Sequence, residues 1–159
     1  MHNPPMLDRY DLKILDLWQQ RGDIGPVEMG EAIHLSASQC SRRMAALKRA
    51  GHVRGFHAVL EPASLGIGLM AYVLITMKSH GPDAAEAFRA RILALDEVLE
   101  CQKLTGEADL ILKVATHDLA SFNHLLSHRI LAAPEVATAR SSIILEDVKS
   151  TTALPIRAS

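Results

Sequence analysis

The chain has 159 residues, 48% hydrophobic and 4% aromatic, which suffices for a packed aliphatic core in one domain or two small ones. Segment 36–60 carries a net charge of +5 and no acidic residue, whereas the parts before and after it each carry −3. No apolar run approaches the roughly 20 residues of a membrane span and no secretory signal is visible, so we expect a cytoplasmic protein without a membrane partner.

Helical patterns dominate the N-terminal third. Asp8 can cap a first helix that runs to about Gln20. Its predicted inward residues are Tyr10, Ile14, Leu17 and Trp18. Gly25-Pro26 starts a second helix, Val27 to Ile33, with the proline near the first turn, where it is tolerated. A short turn leads to a third helix, so the last two predict a helix-turn-helix.

The third helix is basic and carries signals at both ends. Ser36 followed by Gln39 fits a capping box, and Gly51 fits the left-handed position after a helix. Its predicted buried stripe is Cys40, Met44 and Leu47. The opposite face suits a DNA major groove, although a solvated surface helix is the alternative interpretation. The residues predicted to contact DNA are Ser38, Gln39, Arg42, Arg43, Lys48, Arg49 and Arg54.

Residues 52–60 predict a small β-hairpin, because Val53, Phe56 and Val59 flank a central glycine. Such a hairpin would form a wing, with Arg54 near its tip and within reach of a phosphate. We therefore expect a winged helix-turn-helix domain over residues 1–60. The following residues, 61–68, contain a proline and two glycines and indicate a linker.

The second half repeats the order strand, helix, strand, with corresponding elements 36–39 residues apart. The predicted strands cover 69–78, 98–104, 108–115 and 136–148, and the predicted helices cover 82–95 and 118–130. The inward residues of the second of these helices are predicted to be Leu119, Phe122, Leu126 and Ile130. This βαββαβ order indicates a ferredoxin-like α+β domain over 69–159. One apolar sheet face stays uncovered, from which we expect a homodimer.

The turn between the two inner strands of this order is the best candidate for a small-molecule site. It reads Thr105-Gly106-Glu107-Ala108-Asp109. Gly106 permits a conformation with exposed backbone donors, which can hold a carboxylate, and Asp109 could hold an ammonium group. A zwitterionic amino acid needs both kinds of partner. A solvated hairpin turn is the alternative interpretation, since these are ordinary turn residues.

The histidines and cysteines are weaker candidates for functional residues than the 105–109 turn. His124 and His128 could place two imidazoles on one metal, but no third ligand follows, so we expect surface histidines and neither metal nor cofactor. Cys40 and Cys101 are both expected to pack in a core, with a thiolate sensor at Cys101 as the alternative. No nucleophile–base pair, phosphate loop or paired carboxylate stands out, so we expect no enzyme.

Five stretches together resemble the leucine-responsive regulatory protein/AsnC (Lrp/AsnC) family of bacterial and archaeal transcription regulators. They are 7–15, 35–47, 51–56, 101–109 and 151–155. The resemblance implies an N-terminal domain that binds double-stranded DNA and a C-terminal domain that senses small molecules, often amino acids. It also implies dimers that assemble into octamers. By the same resemblance, Leu119, Ser142, Thr151 and Thr152 would line the effector pocket beside the 105–109 turn. The family often has prolines where this chain has Ala37 and Gln39.

Two other functions share this architecture. Sirohaem decarboxylases resemble these regulators but act on a tetrapyrrole, and their chemistry needs histidines and arginines around a large pocket. An architectural DNA-binding protein without an effector is the other alternative. The basic segment and its capped helix favour DNA binding over the enzyme, and a ligand effect on DNA affinity would separate the regulator from the architectural protein.

Overall fold

The computed structural model describes residues 7–79 and 81–156, which divide into two compact units. In the first unit, the described residues form α1 (Arg9–Gln20), α2 (Pro26–Ile33) and α3 (Ala37–Arg49), and the tail from Lys149 packs with them. The second unit comprises residues 60–148.

One apolar cluster holds the first unit together. Its buried members are Ile14, Trp18, Ile24, Met29, Ile33, Cys40, Met44 and Leu47. The predicted Asp8 cap is confirmed, because its side chain accepts from the backbone N–H groups of Tyr10 and Asp11. Pro26 lies in the first turn of α2, as expected. Cys40 is a buried core residue, as expected. The inward stripes of three short helices therefore form a single core.

The turn between α2 and α3 requires a glycine. His34 adopts a left-handed conformation (φ 60°), and the chain then folds back so that the Leu35 N–H donates to the Gly30 carbonyl at 3.0 Å. A Cβ on Gly30 would lie 2.5 Å from the Leu35 carbonyl oxygen. This close backbone approach sets the helix-turn-helix geometry.

The predicted wing hairpin is wrong. Residues 53–61 are described without helix or strand. Phe56 packs instead on Trp18, with ring centroids 5.2 Å apart, and lies against Gly22. An isolated two-stranded hairpin is marginal in water, and this aromatic contact holds the segment to the helices without strand pairing.

The second unit has the predicted ferredoxin-like order. Its described elements are a short 3-10 helix (Pro62–Leu65), β1 (Leu69–Met77), α4 (Pro82–Leu93), β2 (Val98–Lys103), β3 (Leu110–Thr116), α5 (Leu119–His124) with a following π-helical turn (Leu125–Ile130), and β4 (Val136–Ile143). The four described strands form an antiparallel sheet in the order β2-β3-β1-β4.

Strand alternation separates the two faces of this sheet. The core face combines strand residues with both helices: Val73, Ile75, Phe88, Ile92, Leu112, Val114, Phe122, Leu125 and Ile130 are buried. The alternate β1 residues Tyr72, Leu74 and Thr76 remain exposed or partly exposed. The register aligns Leu74 with Arg140 and Thr76 with Thr138, so β4 contributes these residues to the same open face.

Three details of the second unit differ from the predictions. The buried stripe of α5 begins at Phe122, so Leu119 is 61% exposed, and Leu125 is buried in the π-helical turn where Leu126 was expected. β4 ends at Ile143, short of the expected residue 148, and the last bond to its neighbour runs from the Ile144 N–H to the Met70 carbonyl near the start of β1. Cys101 is exposed because β2 is an edge strand that lacks a neighbour on one side.

The tail is held to α1 by one side chain. Gln19 Nε2 donates to the Leu154 carbonyl at 2.9 Å, and the Leu154 N–H donates to Gln19 Oε1 at 2.8 Å. The amide thus satisfies both backbone groups of Leu154. We expected the tail to belong to the domain over 69–159, but it packs with the first unit. The two bonds between Gln19 and Leu154 are part of this packing.

Gly30→Ala is expected to destabilise the first unit by about 1–3 kcal/mol, because the new methyl group would press on the Leu35 carbonyl. Helix propensity alone predicts the opposite sign, by up to about 1 kcal/mol. Thermal unfolding checks this, with Gly25→Ala as the matched control, since nothing lies within 4 Å of a Cβ there. A Gly30→Ala protein as stable as the parent would contradict the close approach.

Candidate DNA-binding surface and effector loop

Both ends of α3 are fixed by local hydrogen bonds. At the start, the Gln39 N–H donates to Ser36 Oγ at 3.2 Å, and the Ser36 N–H donates to Gln39 Oε1 at 3.1 Å. At the other end, Gly51 has φ 77°, and the His52 N–H donates to the Leu47 carbonyl at 3.1 Å. The predicted capping box and glycine stop are therefore confirmed.

The outer face of α3 presents cations that the protein itself does not neutralise. Ser38, Arg42 and Arg49 are exposed and lie opposite the buried Cys40 stripe. No carboxylate of the described residues forms an ion pair with Arg42, Arg49 or the exposed Arg54. Three guanidinium groups thus remain available to an external anion.

Arg43 is paired with two carboxylates of the same unit. Its Nη1 lies 2.8 Å from an oxygen of Asp8 and 2.7 Å from an oxygen of Asp11, and its guanidinium lies 5.7 Å from the Tyr10 ring centre. The side chain is 28% exposed. Arg43 therefore ties α3 to the start of α1, and its charge is offset by two carboxylates.

Lys48 is engaged by aromatic rings. Its Nζ lies 5.0 Å from the Trp18 ring centre and 5.1 Å from that of Phe56. Such cation–π contacts are worth about 0.5–1 kcal/mol at exposed sites. Lys48 therefore helps to hold the extended segment after α3 against the helices.

The 105–109 turn closes through Asp109. The Leu104 N–H donates to the Asp109 carbonyl at 2.8 Å, and Gly106 has φ 128°, which favours glycine. Asp109 Oδ2 accepts from the Met77 N–H at 2.7 Å, where the β1–β4 register shifts. The Asp109 carboxylate thus anchors the turn to the central strand.

A small cavity of about 210 Å³ lies beside this turn. It is lined by Leu74, Thr76, Leu104, Thr105, Glu107, Ala108, Thr138 and Arg140. The volume is below the roughly 300–1,000 Å³ of drug-sized ligand sites, so it suits a small metabolite. Arg140 is exposed and can bind a carboxylate bidentately.

Sequence reasoning missed the residues that strands contribute to this cavity. Thr76, Thr138 and Arg140 follow from strand alternation once the β1–β4 register is known. Of the residues expected at the effector site, Thr105, Glu107 and Ala108 line the cavity together. Ser142 pairs with Tyr72 on the same open face outside the lining, Leu119 lies in the first turn of α5, and Thr151 and Thr152 lie in the tail.

A larger open cleft of about 780 Å³ lies elsewhere in the second unit. It is mostly apolar, and its polar lining includes Asp96, Glu97, His117 and His124 but no arginine. His117 Nδ1 donates to the Gly66 carbonyl at 2.7 Å. The residue set therefore lacks the arginines that the resemblance to tetrapyrrole enzymes would require.

Neither a metal site nor a membrane span occurs within the described residues. The rings of His124 and His128 lie 4.9 Å apart, but no group of three or more His, Cys, Asp or Glu side chains there could hold a metal ion. Within residues 7–79 and 81–156, no helix is long and apolar enough to cross a membrane.

Comparison with known proteins identifies the class. Residues 7–48 match the AsnC-type helix-turn-helix domain, and residues 70–154 match the Lrp/AsnC ligand binding domain. The chain therefore belongs to the Lrp/AsnC family: it is a transcription regulator with a helix-turn-helix domain and a ligand-binding domain.

Individual relatives match along nearly the whole chain. The leucine-responsive regulatory proteins of Escherichia coli K12 and Salmonella typhimurium are each 34% identical over 151 residues, covering 95% of this chain and 92% of theirs. A transcriptional regulator from Neisseria meningitidis, solved as an L-Met complex, has a TM-score of 0.90 at 39% identity and covers 94% of this chain and 97% of its own. An AsnC family regulator from Agrobacterium tumefaciens has a TM-score of 0.87 at 27% identity, with coverage of 94% and 97%.

The Asp8–Arg43 contact predicts an acid-dependent loss of stability. The backbone N–H of Asp11 and the Arg43 guanidinium hold the pKa of Asp8 below its ordinary value. A lowered folded-state pKa adds stability above the unfolded-state value of about 3.9, and this contribution disappears as the pH falls through the folded-state pKa. Asp8→Asn keeps a capping oxygen but removes this charge.

At neutral pH the parent should therefore exceed Asp8→Asn in stability by at most about 1 kcal/mol, since the carboxylate is half exposed. The difference should shrink below about pH 4. Thermal unfolding of both proteins across this range measures it, and Asp23→Asn controls for losing an exposed charge in the same unit. A parent–variant difference that does not change with pH would contradict the assignment.

Proposed function

We propose that this regulator binds duplex DNA by placing α3 in the major groove. The observation that carries the proposal is the exposed row of Ser38, Arg42 and Arg49 on a helix whose opposite face is buried. Arg42 and Arg49 are the cations available to bases or phosphates, and Arg54 would contact a phosphate. Arg43 and Lys48, engaged within the unit, hold the helix in place rather than contacting DNA.

We propose that the protein acts as a homodimer that assembles further, to an octamer or a similar form. The open sheet face supports this, because it carries the apolar Tyr72 and Leu74, which are exposed or partly exposed. Two copies of α3 would then address half-sites one or more helical turns apart. Such a regulator performs no catalytic step and works in the cytoplasm, where bacterial DNA is found.

We propose that DNA binding and effector sensing lie in separate parts of the chain. Residues 1–60 would bind DNA, residues 61–68 would link, and the domain from residue 69 would sense the effector. The tail assigned to this second domain packs with the first unit, and residues 151–152 remain candidates for effector contacts through assembly.

We propose an amino acid as the effector, bound in the cavity beside the 105–109 turn. The Arg140 guanidinium would bind the α-carboxylate, and Glu107 would face the ammonium group. Leu74, Leu104 and Ala108 would contact an apolar side chain. L-Met is the first candidate, because the Neisseria meningitidis relative was solved with it. Asp109 positions the turn by its bond to Met77, and Ser142 would extend the polar wall.

Single arginine variants test the DNA surface. Arg42→Ala should cost about 1–3 kcal/mol of binding free energy and relax preference at one base position. Arg54→Ala should weaken binding similarly on all sequences and reduce the salt slope by about one unit. Fluorescence anisotropy at several salt concentrations measures both effects. Arg91→Ala, which removes an exposed arginine from α4, is the control. The surface is misplaced if Arg42→Ala and Arg54→Ala both bind like the parent.

A thermal-shift screen with the twenty amino acids tests the effector. A ligand at about 100 times its dissociation constant should stabilise the protein by roughly 2.7 kcal/mol. Arg140→Ala should abolish this shift and the ligand's effect on DNA affinity, while DNA binding without ligand stays intact. Arg89→Ala on α4 is the charge-matched control. If no amino acid changes stability, assembly or DNA affinity, the architectural role without an effector explains the protein better.

A further inference from the structure

The side-chain amide of Gln39 is locked in one orientation. Its Oε1 accepts from the Ser36 backbone N–H at 3.1 Å and from the Ser36 hydroxyl at 3.0 Å. A backbone N–H can act solely as a donor, so the amide oxygen, and not the nitrogen, must face it. An amide oxygen has two lone pairs, and both are used when Ser38 donates to Ser36 Oγ at 3.1 Å and leaves the single Ser36 hydroxyl proton to Gln39.

The other half of the amide faces outward. Gln39 is exposed at the start of α3, and none of the described residues accepts a hydrogen bond from its Nε2. Arg42 follows three residues later, and side chains at this spacing are neighbours on a helix surface. The Gln39 amide and the Arg42 guanidinium thus form an adjacent pair that offers hydrogen-bond donors.

This orientation changes which base Gln39 can recognise. Glutamine normally reads adenine with both amide atoms: the nitrogen donates to N7, and the oxygen accepts from the N6 amino group. The oxygen of Gln39 is already saturated by Ser36, so the adenine amino group would meet no acceptor. Guanine instead presents two adjacent acceptors, N7 and O6, which match the two N–H donors of Nε2.

We propose that Gln39 is a specificity-determining residue that reads guanine and rejects adenine. The inference rests on the proposed insertion of α3 into the major groove. Reading adenine would require the amide to turn over, which would leave the Ser36 N–H facing a donor and break the capping box. The same bonds that start the helix therefore select the base, and Arg42 extends the preference for acceptor-rich edges along the groove.

Selection of binding sites from randomised duplexes tests this with the full-length protein. Gln39→Ala should lose preference at one position, and the parent should favour guanine there by about 5- to 150-fold over adenine, the range expected of one bidentate contact. Replacing that guanine by 7-deazaguanine, which lacks the N7 acceptor, should weaken the parent and leave Gln39→Ala unaffected. Thermal unfolding of the variant verifies that it is folded.

Gln39→Glu is the sharper variant. Glutamate is a standard capping-box residue, so it keeps an acceptor for the Ser36 N–H, but it replaces the outward donor with an acceptor oxygen. Preference at the same position should move from guanine to cytosine, whose N4 amino group donates. Gln20→Glu adds the same charge at an exposed position of α1 and should leave the preference unchanged.

The outcomes separate this inference from the proposed function. The inference is overturned if the parent selects adenine at the position controlled by Gln39, or if the guanine preference remains in Gln39→Glu. Either result leaves the proposed DNA binding by α3 intact. A parent protein that selects no sequence, together with Arg42→Ala binding like the parent, overturns the proposed DNA surface and the inference with it.

Discussion

The DNA-binding unit depends on one constraint: α3 must be held rigidly by every face except the one it presents outward. Cys40, Met44 and Leu47 bury the inner face, and Arg43 binds the carboxylates of Asp8 and Asp11 at the start of α1. The close approach at Gly30 sets the position from which the helix begins. Because these contacts already hold α3 in place, the helix that presents the remaining cations does not have to be ordered when DNA binds.

The basic residues of the 36–60 segment illustrate what a sequence can and cannot predict. Helical periodicity predicted the buried stripe, the capping box and the exposed row, because these depend on local spacing. It could not separate Arg42 from the adjacent Arg43, since that difference depends on Asp8 and Asp11, which are remote in sequence. The engagement of Lys48 with Trp18 and Phe56 is likewise a tertiary contact. Charge alone therefore does not distinguish cations that are engaged within the unit from those that are not.

The second unit shows the same limit. The repeated order of strands and helices predicted the ferredoxin-like topology, and the glycine turn predicted where a small cavity lies. Arg140 and Thr138 were not predicted to lie beside the turn. Their position there depends on the β1–β4 register, which no local sequence pattern specifies. The wing prediction failed for a related reason: apolar residues on either side of a glycine also suit a chain held by one aromatic contact, as Phe56 is held by Trp18.

Methylation interference on a selected duplex tests the central claim, that α3 reads the major groove, most directly. Dimethyl sulfate places a methyl group on guanine N7 in the major groove and on adenine N3 in the minor groove, so it distinguishes the two directions of approach. We predict that N7 methylation blocks binding at two clusters of guanines, one or more helical turns apart, as a dimer with two copies of α3 requires. Interference confined to adenine N3, or absent from the site altogether, would contradict the account.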